Sequence, residues 1–143
     1  MKLSEKIDKL KKYSPVVLRF GLAIVFLWFG FSQLKNPELW TGLLPGFLNA
    51  SVSFIYLNAI FEIIFAFLLM VGLFTRIVSF ILGLHLIGII FSLGYGAVAV
   101  RDVGLAIATF SIFLHGADEF CLDILIKKKK HHEHNSEMSH ISE

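Results

Sequence analysis

The sequence has few of the residues that build soluble catalytic sites. Of its 143 residues one is cysteine and three are proline, and 17% are charged, against about 25% in soluble domains. The single cysteine, Cys121, excludes a disulfide within the chain and a Cys-x-x-Cys redox pair. Long apolar stretches take up most of the length, so a soluble catalytic domain is not expected.

Apolar residues are abundant instead. The chain is 56% hydrophobic and 14% aromatic, with a mean hydropathy of +0.74. A membrane-spanning helix needs about 20 mostly apolar residues. Four stretches meet that length, at residues 16–34, 53–74, 77–95 and 98–116. We therefore predict an all-α integral membrane protein, a four-helix bundle formed by one domain over residues 16–126.

The positive charges indicate how the bundle is oriented. Five lysines precede the first stretch, Lys127 to Lys130 follow the last, and Arg76 lies between the second and third. Positive residues favour the cytoplasmic side of a membrane. We expect both termini to be cytoplasmic and the protein to be a multi-pass protein of a prokaryotic plasma membrane. The net charge of +2 fits contact with anionic lipid headgroups and not with nucleic acid.

The two tails differ in composition. Residues 1–15 form a lysine-rich segment with Leu3, Ile7 and Leu10 at helical spacing, which predicts an amphipathic helix on the cytoplasmic surface. Residues 127–143 are basic and rich in histidine and are predicted to be disordered because they cannot form a core. His131, His132 and His134 are weak candidates for metal binding, since their spacing matches no fixed metal site.

Ionisable residues inside the apolar stretches are the best candidates for function. They are Arg19, Glu62, His85, Arg101 and Asp102, and each costs at least ~2.5–3.5 kcal/mol at membrane depth unless it is paired or hydrated.

Depth along the helices separates these residues. A rise of ~1.5 Å per residue from the cytoplasmic end places Glu62 at ~18 Å, Arg101 at ~22 Å and Asp102 at ~21 Å. The same rise places Asn58 at ~24 Å, Gln33 at ~26 Å and His85 lower, at ~12 Å. We expect a polar cluster in the outer half of the bundle.

Two interpretations of this cluster stay open. In one, Glu62 and Arg101 form a buried ion pair, with Asn58 and Gln33 as interhelical hydrogen bonds. In the other, the cluster is a pocket for a quinone headgroup, a proton, a lipid headgroup or a small solute. Asp102 fits either the pocket or a carboxylate at a helix start. His85 is either a core histidine or a proton relay.

A separate pair is expected near the cytoplasmic surface. Arg19 lies ~5 Å deep on the same scale, and it either extends to the surface or pairs with Asp118. We regard Arg19 and Asp118 as candidates for a structural pair on the inner side.

Several residues and short segments occur in an order that is typical of a known family. The sequence resembles the DoxX family of small four-span membrane proteins, within the wider DoxD-like group, over about residues 18–126. The resemblance rests on Arg19, the aromatic stretch ending at Gly30, Glu62, the segment 72–76 (Gly-Leu-Phe-Thr-Arg), the pair Arg101-Asp102, and Asp123. Two positions depart from the family pattern: Gln33 replaces a common lysine, and His115-Gly116-Ala117 replaces a common Gly-Pro-Gly.

The resemblance implies a four-helix membrane bundle and leaves two functions open. Relatives named for thiosulfate:quinone oxidoreductase are subunits of quinone-linked sulfur oxidation, and others are associated with oxidative-stress complexes. One implied role is therefore an accessory membrane subunit of a quinone-linked redox complex, with quinone bound and a soluble or membrane redox subunit as partner. The other is a non-enzymatic membrane binding, transport or assembly protein for a lipid, a small solute or a partner protein. Membrane lipids and a second copy of the chain, in a homo-oligomer, are also expected partners. With no cofactor site of its own, the chain is not expected to catalyse a redox reaction alone.

Overall fold

The computed structural model describes residues 10–44 and 51–141, with the side chains of residue 43 and of residues 132–141 excluded. Five α-helices follow in chain order: α1 (Ser14–Lys35), α2 (Val52–Val71), α3 (Thr75–Leu93), α4 (Ala97–His115) and α5 (Leu122–Ile141). Two short 3₁₀ helices, Lys11–Tyr13 and Pro37–Leu43, flank α1. No strand occurs in these residues, and the predicted all-α class is confirmed.

Helices α1 to α4 are long and apolar enough to cross a membrane. Their 19 to 22 residues correspond to about 28–33 Å, the thickness of a bilayer core. Helix α2 ends three residues before the predicted limit, because Gly72 adopts a left-handed conformation (φ +72°). The Leu73 N–H donates to Leu68 O (3.0 Å) and the Gly72 N–H to Leu69 O (3.2 Å). This Schellman turn ends the helix.

The bundle is built from two helix pairs. Helix α1 packs along α2, and α3 packs along α4, while α1 also contacts α4 and α2 contacts α3. Glycines allow the close approach inside each pair. A Cβ atom at Gly30 would lie 2.6 Å from Ile63 Cγ1, and one at Gly83 would lie 2.9 Å from the Phe110 ring. Small residues serve this purpose in membrane bundles, where lipid is as apolar as the helix surfaces.

The core contains apolar side chains from all four spanning helices. Those fully buried include Leu22, Phe26, Leu69, Leu82 and Ile112. The outward surface is also apolar, with large exposed residues along every span, such as Trp28, Phe67 and Ile107. An apolar exterior of this kind suits a lipid surrounding and not water.

The two ends of the bundle are distinct. At the loop end lie the connection from α1 to α2 and the turn between α3 and α4. At the tail end lie the start of α1, the turn between α2 and α3, and α5. Asp123 links α5 to α3 there, because its carboxylate accepts hydrogen bonds from the Phe74 N–H (2.8 Å), the Thr75 N–H (2.9 Å) and the Thr75 hydroxyl (3.0 Å). A residue of α5 therefore caps the start of α3.

The prediction of a disordered tail is wrong over residues 127–141. Helix α5 continues through these residues to Ile141. The sequence from 122 to 141 has no glycine or proline, the two residues that are least favourable inside a helix. The predicted amphipathic segment falls mostly on residues 1–9, and the outer loop partly on residues 45–50; both ranges lie outside the described residues.

Candidate functional site

Glu62 is at the centre of a buried polar cluster that extends from the middle of the bundle toward the loop end. We define the Glu62 cluster as Gln33 of α1, Asn58 and Glu62 of α2, and His85 of α3. Gln33 Nε2 donates to Glu62 Oε2 (2.9 Å). Asn58 Nδ2 donates to Gln33 Oε1 (2.8 Å) and to Glu62 Oε1 (3.3 Å). His85 Nε2 lies 3.1 Å from Glu62 Oε1, so three side chains from three helices converge on one carboxylate.

The pairing of Glu62 with His85 corrects the predicted depths. His85 was expected about 6 Å below Glu62 on the per-residue rise. Because α2 ends at Val71 and α3 begins at Thr75, each residue is nine or ten positions from its helix end. The rise then gives about 14 Å for Glu62 and about 15 Å for His85, and the two side chains meet.

The predicted Glu62–Arg101 ion pair is wrong. Arg101 binds Asp102 instead, with Nε and Nη2 both 2.8 Å from Asp102 Oδ1. The guanidinium also lies over the Phe29 ring, 4.9 Å from its centroid, which adds cation–π attraction. Arg101 is therefore held away from Glu62 by a carboxylate and an aromatic ring.

Asp102 is not a helix-start carboxylate. Helix α4 begins at Ala97 and has no acidic residue in its first turn, so Asp102 lies beyond the range of the dipole at the helix N-terminus. Its side chain is 5% exposed, whereas that of Arg101 is 47% exposed. The ion pair thus extends from the bundle interior, at Asp102, to its surface, at Arg101.

A cavity of about 50 Å³ adjoins the Glu62 cluster. Its lining includes Gln33, Asn58, Glu62, Arg101 and Asp102, which the sequence predicted as one group. A single water needs about 30 Å³ of liquid volume, whereas pockets for organic ligands measure about 300–1,000 Å³. The interior therefore fits water and protons. The half-exposed Arg101 and the rings of Phe29 and Trp40 also line this cavity, and we call their side of the lining its mouth.

Phe29 and Trp40 are the lining residues that sequence reasoning missed as site residues. Their rings pack edge to face, 5.6 Å apart, which attaches the 3₁₀ helix Pro37–Leu43 to α1. Leu44 lines the same cavity. Trp40, a residue type suited to the membrane interface, was the available signal in this connection, but its packing partner could not be found without the fold.

The contact between Glu62 and His85 allows one proton to be placed on either group. With the proton on His85, the ring donates to an ionised Glu62 and forms an ion pair. With the proton on Glu62, the carboxyl donates to a neutral imidazole across the same 3.1 Å. Both arrangements have zero net charge, and they differ only in the position of one proton. Glu62 is 3% exposed and His85 17% exposed, so both groups of the pair are largely shielded.

The structure brings Arg19 and Asp118 together at the tail end, in a buried ion pair. Arg19 Nε lies 2.8 Å from Asp118 Oδ2, and Nη1 donates to the carbonyls of Leu69 and Met70. Burial raises the pKa of Asp118, but hydrogen bonds from Arg19 and from the Phe120 N–H outweigh burial and hold that pKa below its usual value. This pair joins α1 to the end of α2 and the segment after α4.

Two other predicted features stay outside the site. Cys121 is buried against Gly72 and Thr75, and burial raises the pKa of its thiol, which makes it less reactive. His131 is exposed, while the side chains of His132 and His134 lie outside the described ones. Metal binding by the tail stays a prediction.

Comparison with known proteins agrees with this architecture. The family described as "TQO small subunit DoxD" matches residues 43–143, a range that includes α2 to α5 and most of the Glu62 cluster, while Gln33 and Arg19 precede it. No curated protein and no solved structure matches the chain. The match covers more than two thirds of the sequence, and the four spanning helices agree with it. The chain therefore belongs to the DoxD family and is a multi-pass membrane protein.

Proposed function

We propose that this protein is an accessory membrane subunit of a quinone-linked redox complex, in which Glu62 and His85 hold and transfer a proton. The observation that carries the proposal is the 3.1 Å contact between Glu62 Oε1 and His85 Nε2 beside a water-sized cavity. The family description, a small subunit named for a quinone-linked oxidoreductase, supports the same role.

The chemistry of quinone reduction suggests which subunit supplies electrons and which supplies protons. Reduction of a quinone to a quinol takes up two electrons and two protons. We assign the electrons to a redox centre of a partner subunit, with thiosulfate as the electron donor implied by the family name. This chain supplies a proton route: Glu62 and His85 exchange a proton inside the bundle, and a water in the cavity extends that route toward Arg101 at the mouth. Arg101, Phe29 and Trp40 provide a cation and aromatic faces that suit a ring bound there.

Glu62→Gln tests the proposal. Glutamine has the same shape and keeps an acceptor for Gln33 or Asn58, but it carries no exchangeable acid proton. Because general acid–base groups contribute about 10²–10⁴-fold, we expect thiosulfate-dependent quinone reduction in native membranes to fall at least about tenfold. Assembly of the variant into its complex should be unchanged, as measured by copurification of the partner subunit.

Glu38→Gln is the matched control. Glu38 is exposed in the 3₁₀ helix at the same end of the bundle, so the same substitution there should leave quinone reduction unchanged. Full activity of the Glu62→Gln variant would refute the proton role. His85→Gln gives an independent reading, because it removes the second proton site while leaving the carboxylate with its two amide donors.

A non-enzymatic binding or assembly role is the second candidate, and one observation favours it. No buried side-chain nitrogen or oxygen in the described part of the chain lacks a hydrogen-bond partner, so the Glu62 cluster is complete as a structural link between α1, α2 and α3. If this is its role, Glu62→Gln and His85→Gln will lower the yield of folded protein and leave the specific activity of the remaining complex unchanged.

A further inference from the structure

A second cavity, of about 800 Å³, opens at the tail end of the bundle. It lies between the turn from α2 to α3, the end of α4 and the first half of α5. Its lining includes three permanent cations, Arg76, Lys127 and Lys130, and the apolar side chains of Leu73, Phe74 and Ile77. This cavity shares no lining residue with the cavity beside the Glu62 cluster.

The charge inside this cavity is positive. Asp123 is the carboxylate in the lining, and its two oxygens already accept hydrogen bonds from the main chain of Phe74 and Thr75 and from the Thr75 hydroxyl. The three cations therefore outnumber a carboxylate that is occupied by the start of α3. His115 also lines the cavity and adds positive charge when it is protonated.

Arg76 is the cation best placed to bind an anion. Among the described residues, its side chain has no hydrogen bond and no ion pair. The guanidinium lies against the backbone of Gly116, where a Cβ atom would be 2.6 Å from Arg76 Nε. Gly116 has φ +83°, a conformation that favours glycine. The chain therefore gives Arg76 room beside α4 while leaving its five N–H donors for another group.

The position and the apolar lining favour a lipid. Helices of about 28–33 Å span the hydrocarbon core, so the start of α3 and the end of α4 lie at the depth of lipid phosphates. Phe74 has φ +51°, an uncommon value for a residue other than glycine, and its ring is exposed beside Ile77. Acyl chains can contact these side chains while a phosphate binds Arg76.

We infer that this cavity binds the headgroup phosphate of an anionic phospholipid from the surrounding leaflet. Arg76 binds the phosphate through paired N–H donors, Lys127 and Lys130 add electrostatic attraction for the same negative headgroup, and Leu73, Phe74 and Ile77 contact the first acyl carbons. Basic pockets between helix ends are suited to such lipids.

The test uses the full chain purified in a neutral detergent. Dioleoylphosphatidylglycerol, dioleoylphosphatidylcholine or inorganic phosphate is added, and bound molecules are counted by native mass spectrometry. We expect one phosphatidylglycerol per chain at concentrations where phosphatidylcholine and free phosphate are not retained. Equal retention of phosphatidylcholine would refute anion recognition. Equal retention of inorganic phosphate would refute the lipid and indicate a site for a soluble anion.

Variants locate the site. Arg76→Gln, Lys127→Gln and Lys130→Gln should each weaken phosphatidylglycerol binding about fivefold, and the triple variant by a factor on the order of 100. Lys128→Gln is the matched control, because Lys128 is on the same helix and outside the cavity lining. If Lys128→Gln weakens binding as much as the others, the lipid is attracted by the basic helix as a whole and the cavity site is refuted. Circular dichroism shows whether each variant is folded, and the comparison of lipids on the unmodified protein needs no variant.

Discussion

Arg19 and Glu62 are both buried ionisable residues, but they differ in whether they can exchange a proton with the groups that contact them. Arg19 contacts one carboxylate and two main-chain carbonyls, and a guanidinium cannot lose its proton in a protein. Glu62 shares its Oε1 atom with an imidazole, and both groups can carry a proton. The first arrangement fixes helices in place, whereas the second can change state without moving a helix.

Asp118→Asn tests the structural pair. Removing one partner of a buried ion pair leaves the other charge uncompensated and costs about 3–5 kcal/mol. We expect a clear fall in the Tm of the detergent-solubilised protein, with Arg19 still buried. Glu119→Gln changes the exposed neighbouring residue and should stay within about 0.5 kcal/mol of the unmodified protein. Equal Tm values for the two variants would show that the pair contributes nothing.

The same pair predicts a pH dependence. Since the pKa of Asp118 is held below its usual value, folding favours the ionised carboxylate. Its stabilisation is complete above the unfolded value of about 3.9 and is lost as the pH falls through the lower, folded pKa. The unmodified protein should therefore lose more stability than Asp118→Asn between neutral pH and acid, as measured by Tm in the same detergent.

An error of three residues in the predicted end of the second helix concealed the contact between Glu62 and His85. Hydropathy identifies four spans because it sums over about 20 residues, but leucine and phenylalanine at positions 73 and 74 extended the second span beyond its end at Val71. The depth of Glu62 was measured from that false end, and His85 therefore seemed too low. Gly72 is a helix-end signal in the sequence, but the apolar residues after it concealed that end.

Within the turn between α2 and α3, Gly72 should be the position that tolerates substitution least. A Cβ atom there would lie 2.6 Å from Cys121 Sγ and 2.7 Å from Cys121 Cα, and the positive φ costs about 1–3 kcal/mol for other residues. We expect Gly72→Ala to lower Tm by several degrees, because the segment carrying Cys121 and Asp123 must move. Gly88→Ala is the control: Gly88 lies within α3 with no atom within 4 Å of an added Cβ, and it should be neutral or slightly stabilising. Equal effects at both positions would contradict the packing argument.

Over the whole molecule, fold class and the grouping of polar residues were predictable, and partner choice within the group was not. Mean hydropathy and span length require a helical membrane bundle, and helix depth places Gln33, Asn58, Glu62 and Arg101 near one another. The conformation of the Arg101 side chain determines which carboxylate it binds. Asp102 is adjacent in sequence and the Phe29 ring is across the bundle, and the second of these cannot be found from spacing. The polar groups thus separate into the Glu62 cluster inside the bundle and a set of charged residues at the tail end.

The distribution of positive residues over the whole molecule predicts which end of the bundle faces the cytoplasm. Lys11, Lys12, Arg76 and the run Lys127 to Lys130 all belong to the tail end, and positive residues are retained in the cytoplasm. We expect the loop end to face outward. In a Cys121→Ser background, Leu39→Cys should react with a membrane-impermeant maleimide in intact cells, since Leu39 is 81% exposed in the 3₁₀ helix Pro37–Leu43.

Lys128→Cys in the same background is the matched probe for the other end. It lies on the exposed surface of α5 and should react only after the cells are permeabilised. The reverse result, with Lys128→Cys labelled in intact cells and Leu39→Cys protected, would place the Glu62 cavity on the cytoplasmic side. Protons used at its mouth would then come from the cytoplasm and not from outside. The labelling pattern therefore decides which compartment supplies protons to any quinone reduced at this site.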